Sequence, residues 1–206
     1  MYHWFEKQEG NYMTLDAITN YIQLYGYWVI ILVLFCGIVG IPAPEETFVI
    51  FIGAVIAEQN LNFLWAICAA LLGTNVGMLF TYMIGRKLGT SIIQKYGNLV
   101  KITPKRWKSM HKRFEQFENK MIVIGYFLPG LRQLTPYMSG TRELPYAKFF
   151  SLAFLASLLW TTLYMTIGFY FGNMIGLKYL SFIAVIFFLI FIVVLVWKNW
   201  FSPARS

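Results

Sequence analysis

The chain has 206 residues, of which 58% are hydrophobic, 19% are aromatic and only 13% are charged. A soluble domain of this length has too small an interior to hide so much apolar surface, whereas a lipid bilayer accepts it. The composition therefore excludes an ordinary soluble domain and predicts an all-α integral membrane protein.

The formal net charge of +8 is unevenly distributed, because ten of the seventeen Lys and Arg residues lie between Arg86 and Lys120. Flanked by apolar segments, such a block is typical of a cytoplasmic loop under the positive-inside rule. We therefore expect no nucleic-acid partner. The acidic residues Glu6, Glu9 and Asp16 contradict the basic start of a signal peptide, so residues 1–24 are predicted to remain as a short helix at the membrane interface.

The first half of the chain contains an interrupted apolar segment. An apolar helix is predicted over 25–40, and then Pro42 and Pro44 break the pattern beside two acids, Glu45 and Glu46. The apolar run resumes to Ala57, and residues 63–84 form a clean spanning helix. We predict that residues 41–58 form a re-entrant hairpin.

The second half repeats this arrangement. Pro129-Gly130 interrupts an apolar segment over 121–140, and spanning helices are predicted over 149–172 and 179–197. Charge places the basic loop and the C-terminus on the same, cytoplasmic side. Since only two spans separate them, residues 121–140 must enter and leave on that side. The same reasoning makes the N-terminus cytoplasmic and gives about four spanning helices.

Sequence similarity between the halves predicts an inverted repeat. Ile84-Gly85 recurs as Ile167-Gly168 at the offset that also aligns 69–74 with 152–157, and the copies cross the membrane in opposite directions. Paired interrupted segments of this kind point to a transporter site. The predicted organisation is one membrane domain, 1–206, with a first repeat 25–89, a basic segment 90–120, a second repeat 121–175 and a C-terminal span and tail 176–206.

The basic segment contains a predicted amphipathic helix. Thr103 is a candidate N-cap and Pro104 suits the first helical position. The apolar residues Trp107, Met110, Phe114 and Phe117 share one face. We predict that this helix lies on the cytoplasmic membrane surface; packing against a soluble partner is the alternative.

Arg132 is the candidate residue with the strongest physical argument. An arginine at the centre of a membrane helix costs about 2.5–3.5 kcal/mol on insertion scales, and its guanidinium does not lose its proton. It therefore needs a carboxylate or a phosphate. Two compatible interpretations are a salt bridge to Glu46 and binding of an anionic substrate group; snorkelling to the interface is a third.

Acidic residues on the first hairpin are candidates for proton coupling. Burial favours a neutral carboxyl and a nearby arginine favours a charged one, so the charge states of Glu46 and Glu58 stay open. The alternative is that these acids cap helix N-termini at a wet hairpin mouth. Glu45 is expected to be the more solvated neighbour. Arg142 and Glu143 mark the exit of the second hairpin.

Metal, cofactor and enzyme chemistry are not expected. Cys36 and Cys68 stand alone in apolar segments, and His3 and His111 lie far from any ligand cluster. No aspartate cluster is present to hold Mg²⁺ on a lipid pyrophosphate. A lipid-phosphate enzyme and a scaffold that recruits partners through the basic helix are the alternatives from other functional classes.

Two motifs resemble the DedA family of bacterial membrane proteins. They are Pro42-Ala43-Pro44-Glu45-Glu46-Thr47 and Gly125-Tyr126-Phe127-Leu128-Pro129-Gly130-Leu131-Arg132, in that order, within a match covering roughly 25–175. The resemblance implies two facing re-entrant hairpins, and lipid translocation in the bacterial cytoplasmic membrane. It also implies functional acids at Glu46 and Glu58 and a functional arginine at Arg132. Many members carry a second arginine where this chain has Tyr126, and often an aspartate where it has Asn75.

The resulting prediction is a lipid transporter, with undecaprenyl phosphate as the leading substrate for carrier recycling in cell-wall synthesis. Arg132 would bind the phosphate, assisted by Tyr126 and Arg142, while Glu46, Glu58 and Glu45 would be proton-coupling candidates. The alternative substrate is phosphatidylethanolamine or phospholipids in general. A homodimer is a further hypothesis.

Overall fold

The computed structural model describes residues 25–40, 44–57, 61–91, 104–128 and 130–175. Within these ranges every regular element is a helix, as the composition predicted. The predicted interfacial helix in 1–24 and the predicted span 179–197 lie outside the described residues. The helices are α1 Tyr25–Val39, α2 Glu45–Ala57, α3 Phe63–Leu88, α4 Pro104–Gln116, α5 Glu118–Tyr126, α6 Leu131–Thr141 and α7 Tyr146–Ile175.

Two of the described helices are long and apolar enough to cross a membrane. They are α3, with a mean hydropathy of 1.9, and the stretch Tyr146–Gly172 of α7, with a mean hydropathy of 1.6. Helix α1 is apolar but shorter. A 26-residue helix is about 39 Å long at 1.5 Å per residue, which exceeds the roughly 30 Å hydrocarbon core.

The described residues fall into two compact units. The first contains 25–29, 44–57, 61–67 and 163–175, and the second contains 30–40, 68–91, 104–128 and 130–162. In the first unit, α2 packs against the last part of α7. In the second, α6 packs against the last part of α3.

Helices α5 and α6 form a helical hairpin where the second re-entrant segment was predicted. A short turn joins them, and Gly130 within it has a φ of +83°, a left-handed conformation that glycine adopts without steric cost. A Cβ on Gly125 would lie 2.8 Å from Thr135 Oγ1, so the absence of a side chain brings α5 close to α6. The hairpin is described; its re-entrant course through a bilayer stays a prediction.

The two units use the same reciprocal glycine contact. In the second unit, a Cβ on Gly140 would collide with the carbonyl oxygen of Tyr82, and one on Gly85 would collide with that of Tyr137. In each of the two helices, the glycine lies three residues after the residue whose carbonyl oxygen faces the glycine of the other helix. The pair therefore allows the backbones of α3 and α6 to touch.

The first unit repeats this contact between α2 and α7. A Cβ on Gly53 would collide with the carbonyl oxygen of Met165, and one on Gly168 would collide with that of Ile50. The spacing is again three residues in both helices. Gly85 and Gly168 are the two glycines that the predicted sequence repeat aligns.

Helix α4 packs against the chain through part of its apolar face. Trp107 and Phe114 are buried in the protein, and the Trp107 ring lies edge-on to Tyr137 of α6, with 5.9 Å between ring centroids. The buried part of the apolar face therefore packs against the chain's own hairpin, and the location of α4 on the cytoplasmic membrane surface stays a prediction. Phe117 is exposed and occupies a turn between α4 and α5, so it does not extend the apolar face as predicted. The exposed face of α4 carries Lys108, Lys112 and Arg113.

Polar contacts reinforce this docking. Arg142, at the C-terminal end of α6, pairs with Glu115 of α4 at 3.3 Å, and the half-buried His111 lies one turn before Glu115. Burial, with a further contribution from the positive charge of Arg142, lowers the pKa of His111 below its ordinary value of 6.5, while Glu115 acts in the opposite direction.

A pH dependence of stability follows from His111. Because its pKa is lower in the folded chain, the unfolded chain takes up the proton first. The stability contribution of neutral His111 is therefore complete above pH 6.5 and declines as the pH falls below 6.5 toward the lowered pKa. We expect the parent to lose more thermal stability than His111→Gln between pH 7.5 and 5.5, measured by thermal unfolding in detergent. Parallel losses in the two proteins would contradict this assignment.

Candidate functional site

Arg132 lies at the start of α6, in the first helical turn after the Gly130 break. Its side chain belongs to the buried face of α6, and only 4% of the residue is exposed. The other buried residues of this helix are Thr135, Pro136, Tyr137, Met138, Ser139 and Gly140. The first turn of a helix carries a partial positive charge, which favours anions, and the backbone N–H of Arg132 itself bonds the carbonyl oxygen of Leu128 at 3.1 Å. A buried guanidinium there adds a full positive charge.

Two aromatic rings contact the Arg132 guanidinium. The carbon Cζ lies 3.9 Å from the centroid of the Trp160 ring in α7 and 4.5 Å from that of Tyr126 in α5. The two rings meet edge to face, 5.8 Å apart at 79°. We call Tyr126 and Trp160 the aromatic clamp. Both of its residues are buried, and desolvated cation–π contacts are worth about 2 kcal/mol or more.

The clamp attracts the guanidinium through its positive charge. Cation–π attraction acts on the charge through the ring face, whereas the five N–H donors of arginine lie in the guanidinium plane. A planar, charged group positioned in this way suits a carboxylate or a phosphate, which accept two parallel hydrogen bonds.

The helix that carries Arg132 is anchored by its polar side chains. Gln133 Nε2 donates a hydrogen bond of 2.9 Å to the carbonyl oxygen of Gly37 in α1. Thr135 and Ser139 each donate to the carbonyl oxygen four residues earlier, at 2.8 Å. The bond from Gln133 joins α6 to α1 and so restrains the rotation of α6 about its axis, whereas the bonds from Thr135 and Ser139 lie within α6.

The acids of the first hairpin are arranged differently from the prediction. Glu45 is buried, with 4% exposed, whereas Glu46 is only half-buried, so the expectation that Glu45 is the more solvated was wrong. Neighbouring helical residues point about 100° apart, and Glu45 shares the buried face of α2 with Val49 and Ile52. Glu58 lies outside the described residues.

Arg142 and Glu143 lie at the other end of α6 from Arg132. Ten residues of helix correspond to about 15 Å, and Arg142 pairs with Glu115 of α4. Glu143 has a φ of +52° in the turn that follows the helix. The structure therefore brings Tyr126 together with Arg132 but keeps Arg142 apart from them.

Trp160 is the site residue that sequence reasoning missed. It lies in the middle of an apolar helix in which aromatic residues recur, so no local pattern distinguishes it. The separation of 28 positions between Arg132 and Trp160 is bridged only by tertiary packing. Among the described residues, no three His, Cys, Asp or Glu side chains could share a metal ion.

Comparisons with known proteins identify the family. The VTT domain matches residues 41–170, which include both interrupted segments and Arg132. An uncharacterized membrane protein of Bacillus subtilis, YbfM, is 34% identical over 75% of this chain and 95% of its own length. This chain belongs to the VTT-domain, or DedA, family. The resemblance seen in the two motifs is thereby confirmed, and the chain is a membrane protein.

Other relatives of this VTT-domain protein are more distant. Protein DedA of Escherichia coli K12 is 27% identical over 76% of this chain and 74% of its own length. Undecaprenyl phosphate transporter A of B. subtilis is 26% identical over 63% of this chain and 66% of its own length. No solved structure matches this VTT-domain protein.

Proposed function

We propose that this VTT-domain protein moves a lipid with a phosphate head group across the bacterial cytoplasmic membrane, with undecaprenyl phosphate as the leading substrate. The observation that carries the proposal is the buried guanidinium of Arg132, held by Tyr126 and Trp160 at the first turn of α6. A relative that bears the name undecaprenyl phosphate transporter A supports the choice of lipid.

The physical argument concerns the cost of moving a phosphate through hydrocarbon. A phosphate must exchange its hydration shell for groups of comparable strength, since an unsatisfied charge in an apolar medium is very costly. A charged guanidinium at the positive N-terminal end of α6 provides such a group. The prenyl tail needs no protein partner, because it remains in the hydrocarbon region throughout.

The paired glycine contacts support an alternating mechanism. Helices α6 and α3 touch through Gly140 and Gly85, and α2 and α7 touch through the equivalent Gly53 and Gly168. In this proposal these contacts belong to two halves of an inverted repeat whose hairpins open to opposite sides of the membrane. Glu46 and Glu58 are the proposed proton carriers.

A leaflet assay tests the proposal. Purified protein in liposomes should speed the appearance of undecaprenyl phosphate in the opposite leaflet above the rate in protein-free liposomes, and Arg132→Ala should return the rate to that background. Glu46→Gln should flatten the dependence on external pH if protons are coupled. Identical rates at all pH values and membrane potentials in the parent would remove proton coupling.

The same assay separates the alternatives. Faster movement of phosphatidylethanolamine than of undecaprenyl phosphate would favour the second substrate class. A changed lipid mass would indicate an enzyme instead. If the protein neither moves lipid nor changes the lipid mass, the transport proposal is overturned and the scaffold function remains.

A further inference from the structure

Asn75 and Ser157 form a hydrogen-bonded pair in the middle of the two longest apolar helices. Asn75 lies twelve residues after the start of α3 at Phe63 and thirteen before its end at Leu88. Ser157 lies near the centre of the apolar stretch Tyr146–Gly172 of α7. In a bilayer, the middle of a span is where polar groups are most costly.

The hydrogen bonds of this pair leave one acceptor unused. Asn75 Nδ2 donates to Ser157 Oγ at 3.0 Å and to the carbonyl oxygen of Leu71 at 2.8 Å, and Ser157 Oγ donates to that of Phe154 at 2.9 Å. Asn75 Oδ1 is buried and accepts no hydrogen bond from any described residue. It belongs to the same amide group, so it also lies at this contact between α3 and α7.

Thr161 adds a second unused polar atom one turn further along α7. The residue is fully buried, and its Oγ1 has no hydrogen-bond partner among the described residues. Ser157 and Thr161 share a face because they are four positions apart. A threonine hydroxyl in a membrane helix commonly bonds the carbonyl four residues earlier, and valine would fill the same volume without a polar atom.

We propose that Asn75, Ser157 and Thr161, here called the polar station, bind a hydrogen-bond donor in the membrane interior. The donor is the O–H of a water molecule, or the O–H or N–H of a lipid head group. This inference rests on the proposed function for its role in transport. Thr161 directly follows Trp160, whose ring contacts Arg132, so the two sites share helix α7.

The two sites suit different chemical groups of a polar head group. Arg132 offers donors and positive charge, which a phosphate oxygen accepts. Asn75 Oδ1 offers an acceptor, which a fully ionised phosphate cannot use but a protonated phosphate, an ammonium group or water can. The station thus binds the part of the head group, or of its hydration shell, that arginine does not bind.

Thr161→Val is the decisive variant. It keeps the volume and removes the hydroxyl, so we expect an unchanged or raised unfolding temperature in detergent. Lipid transport should fall about tenfold, the equivalent of one good hydrogen bond. Thr161→Ser is the matched control and should retain most of the transport. Transport at the parent rate in Thr161→Val would overturn the proposal, as would a fall that merely follows a lowered unfolding temperature.

The source of the donor is resolved by comparing head groups. If water occupies the station, Thr161→Val slows every transported lipid to the same extent. If the head group itself occupies it, the variant slows phosphate-monoester and ethanolamine lipids but not choline lipids, which carry no N–H or O–H donor.

A labelling experiment tests the station without any transport readout. Thr161→Cys is placed in a chain with Cys36→Ala and Cys68→Ala, and the protein in liposomes is treated with a small water-soluble thiol reagent. Thr161 is fully buried in the described conformation, but we expect reaction in the folded protein, because a station that a lipid head group enters must also open to a small reagent. Reaction only after denaturation would show that the station does not open to a head group and would overturn that source of the donor, even if the protein transports lipid. Reaction in a protein that moves no lipid would reject the transport function alone.

Discussion

Replacing Arg132 by lysine should reduce lipid transport about ten- to hundredfold, although the formal charge is kept. Charge-assisted hydrogen bonds are worth about 1.5–3 kcal/mol each, and 1.4 kcal/mol corresponds to a factor of ten. Lysine lacks the planar fork that binds two phosphate oxygens, and a buried ammonium can lose its proton whereas a guanidinium does not. The leaflet assay with undecaprenyl phosphate measures the effect.

Variants of the aromatic clamp are compared with Arg132→Lys in the same assay. Trp160→Phe keeps a ring beside the guanidinium and should preserve most activity, whereas Trp160→Ala removes it and should approach the Arg132→Lys rate. Lys148→Ala removes a cation that pairs with Glu118 at 2.5 Å, and it should leave transport unchanged. Full activity in Arg132→Lys would show that only charge is needed and would contradict bidentate phosphate binding.

Adding a single methyl group at Gly168 or Gly140 should strongly destabilise the folded protein. In both positions the new Cβ would collide with a backbone carbonyl of the neighbouring helix, and a backbone cannot move aside as a flexible side chain can. Overpacking of this kind costs about 1–3 kcal/mol, and sometimes more. We therefore expect Gly168→Ala and Gly140→Ala to lower the unfolding temperature in detergent by several degrees.

The matched control adds a methyl group to the same helix in open space. Ser151 is exposed on α7, and its hydroxyl bonds the carbonyl oxygen of Ala147, a contact that threonine can also make. Ser151→Thr should leave the unfolding temperature unchanged. If Gly168→Ala were as stable as Ser151→Thr, close contact between α2 and α7 would be refuted.

The sequence predicted the helices well wherever local signals are strong. Pro104 and the apolar spacing in the basic segment predicted a helix that the structure places at Pro104–Gln116. Pro129-Gly130 predicted the interruption between α5 and α6, because proline lacks the backbone N–H that a helix interior uses and the glycine beside it adopts a positive φ without steric cost. Helix α3 continues four residues past the predicted span 63–84, and its last turn includes Arg86 and Lys87.

Predictions of which way a helix face or a side chain points were less successful. The apolar face of α4 could pack against lipid, a partner or the chain itself, and its sequence is compatible with all three. Likewise, Glu45 and Glu46 are identical in type and adjacent. Only the rotation of α2 about its axis decides that Glu45 is buried and Glu46 half-buried.

By itself, the sequence determined that this is a helical membrane protein with two interrupted segments and an arginine directly after the second interruption. These properties follow from composition, proline positions and charge, which act locally along the chain. Tertiary structure alone decided that Trp160 and Tyr126 contact the guanidinium and that Asn75 meets Ser157. Those contacts join residues 28, 6 and 82 positions apart, and only the packing of one helix against another can select them.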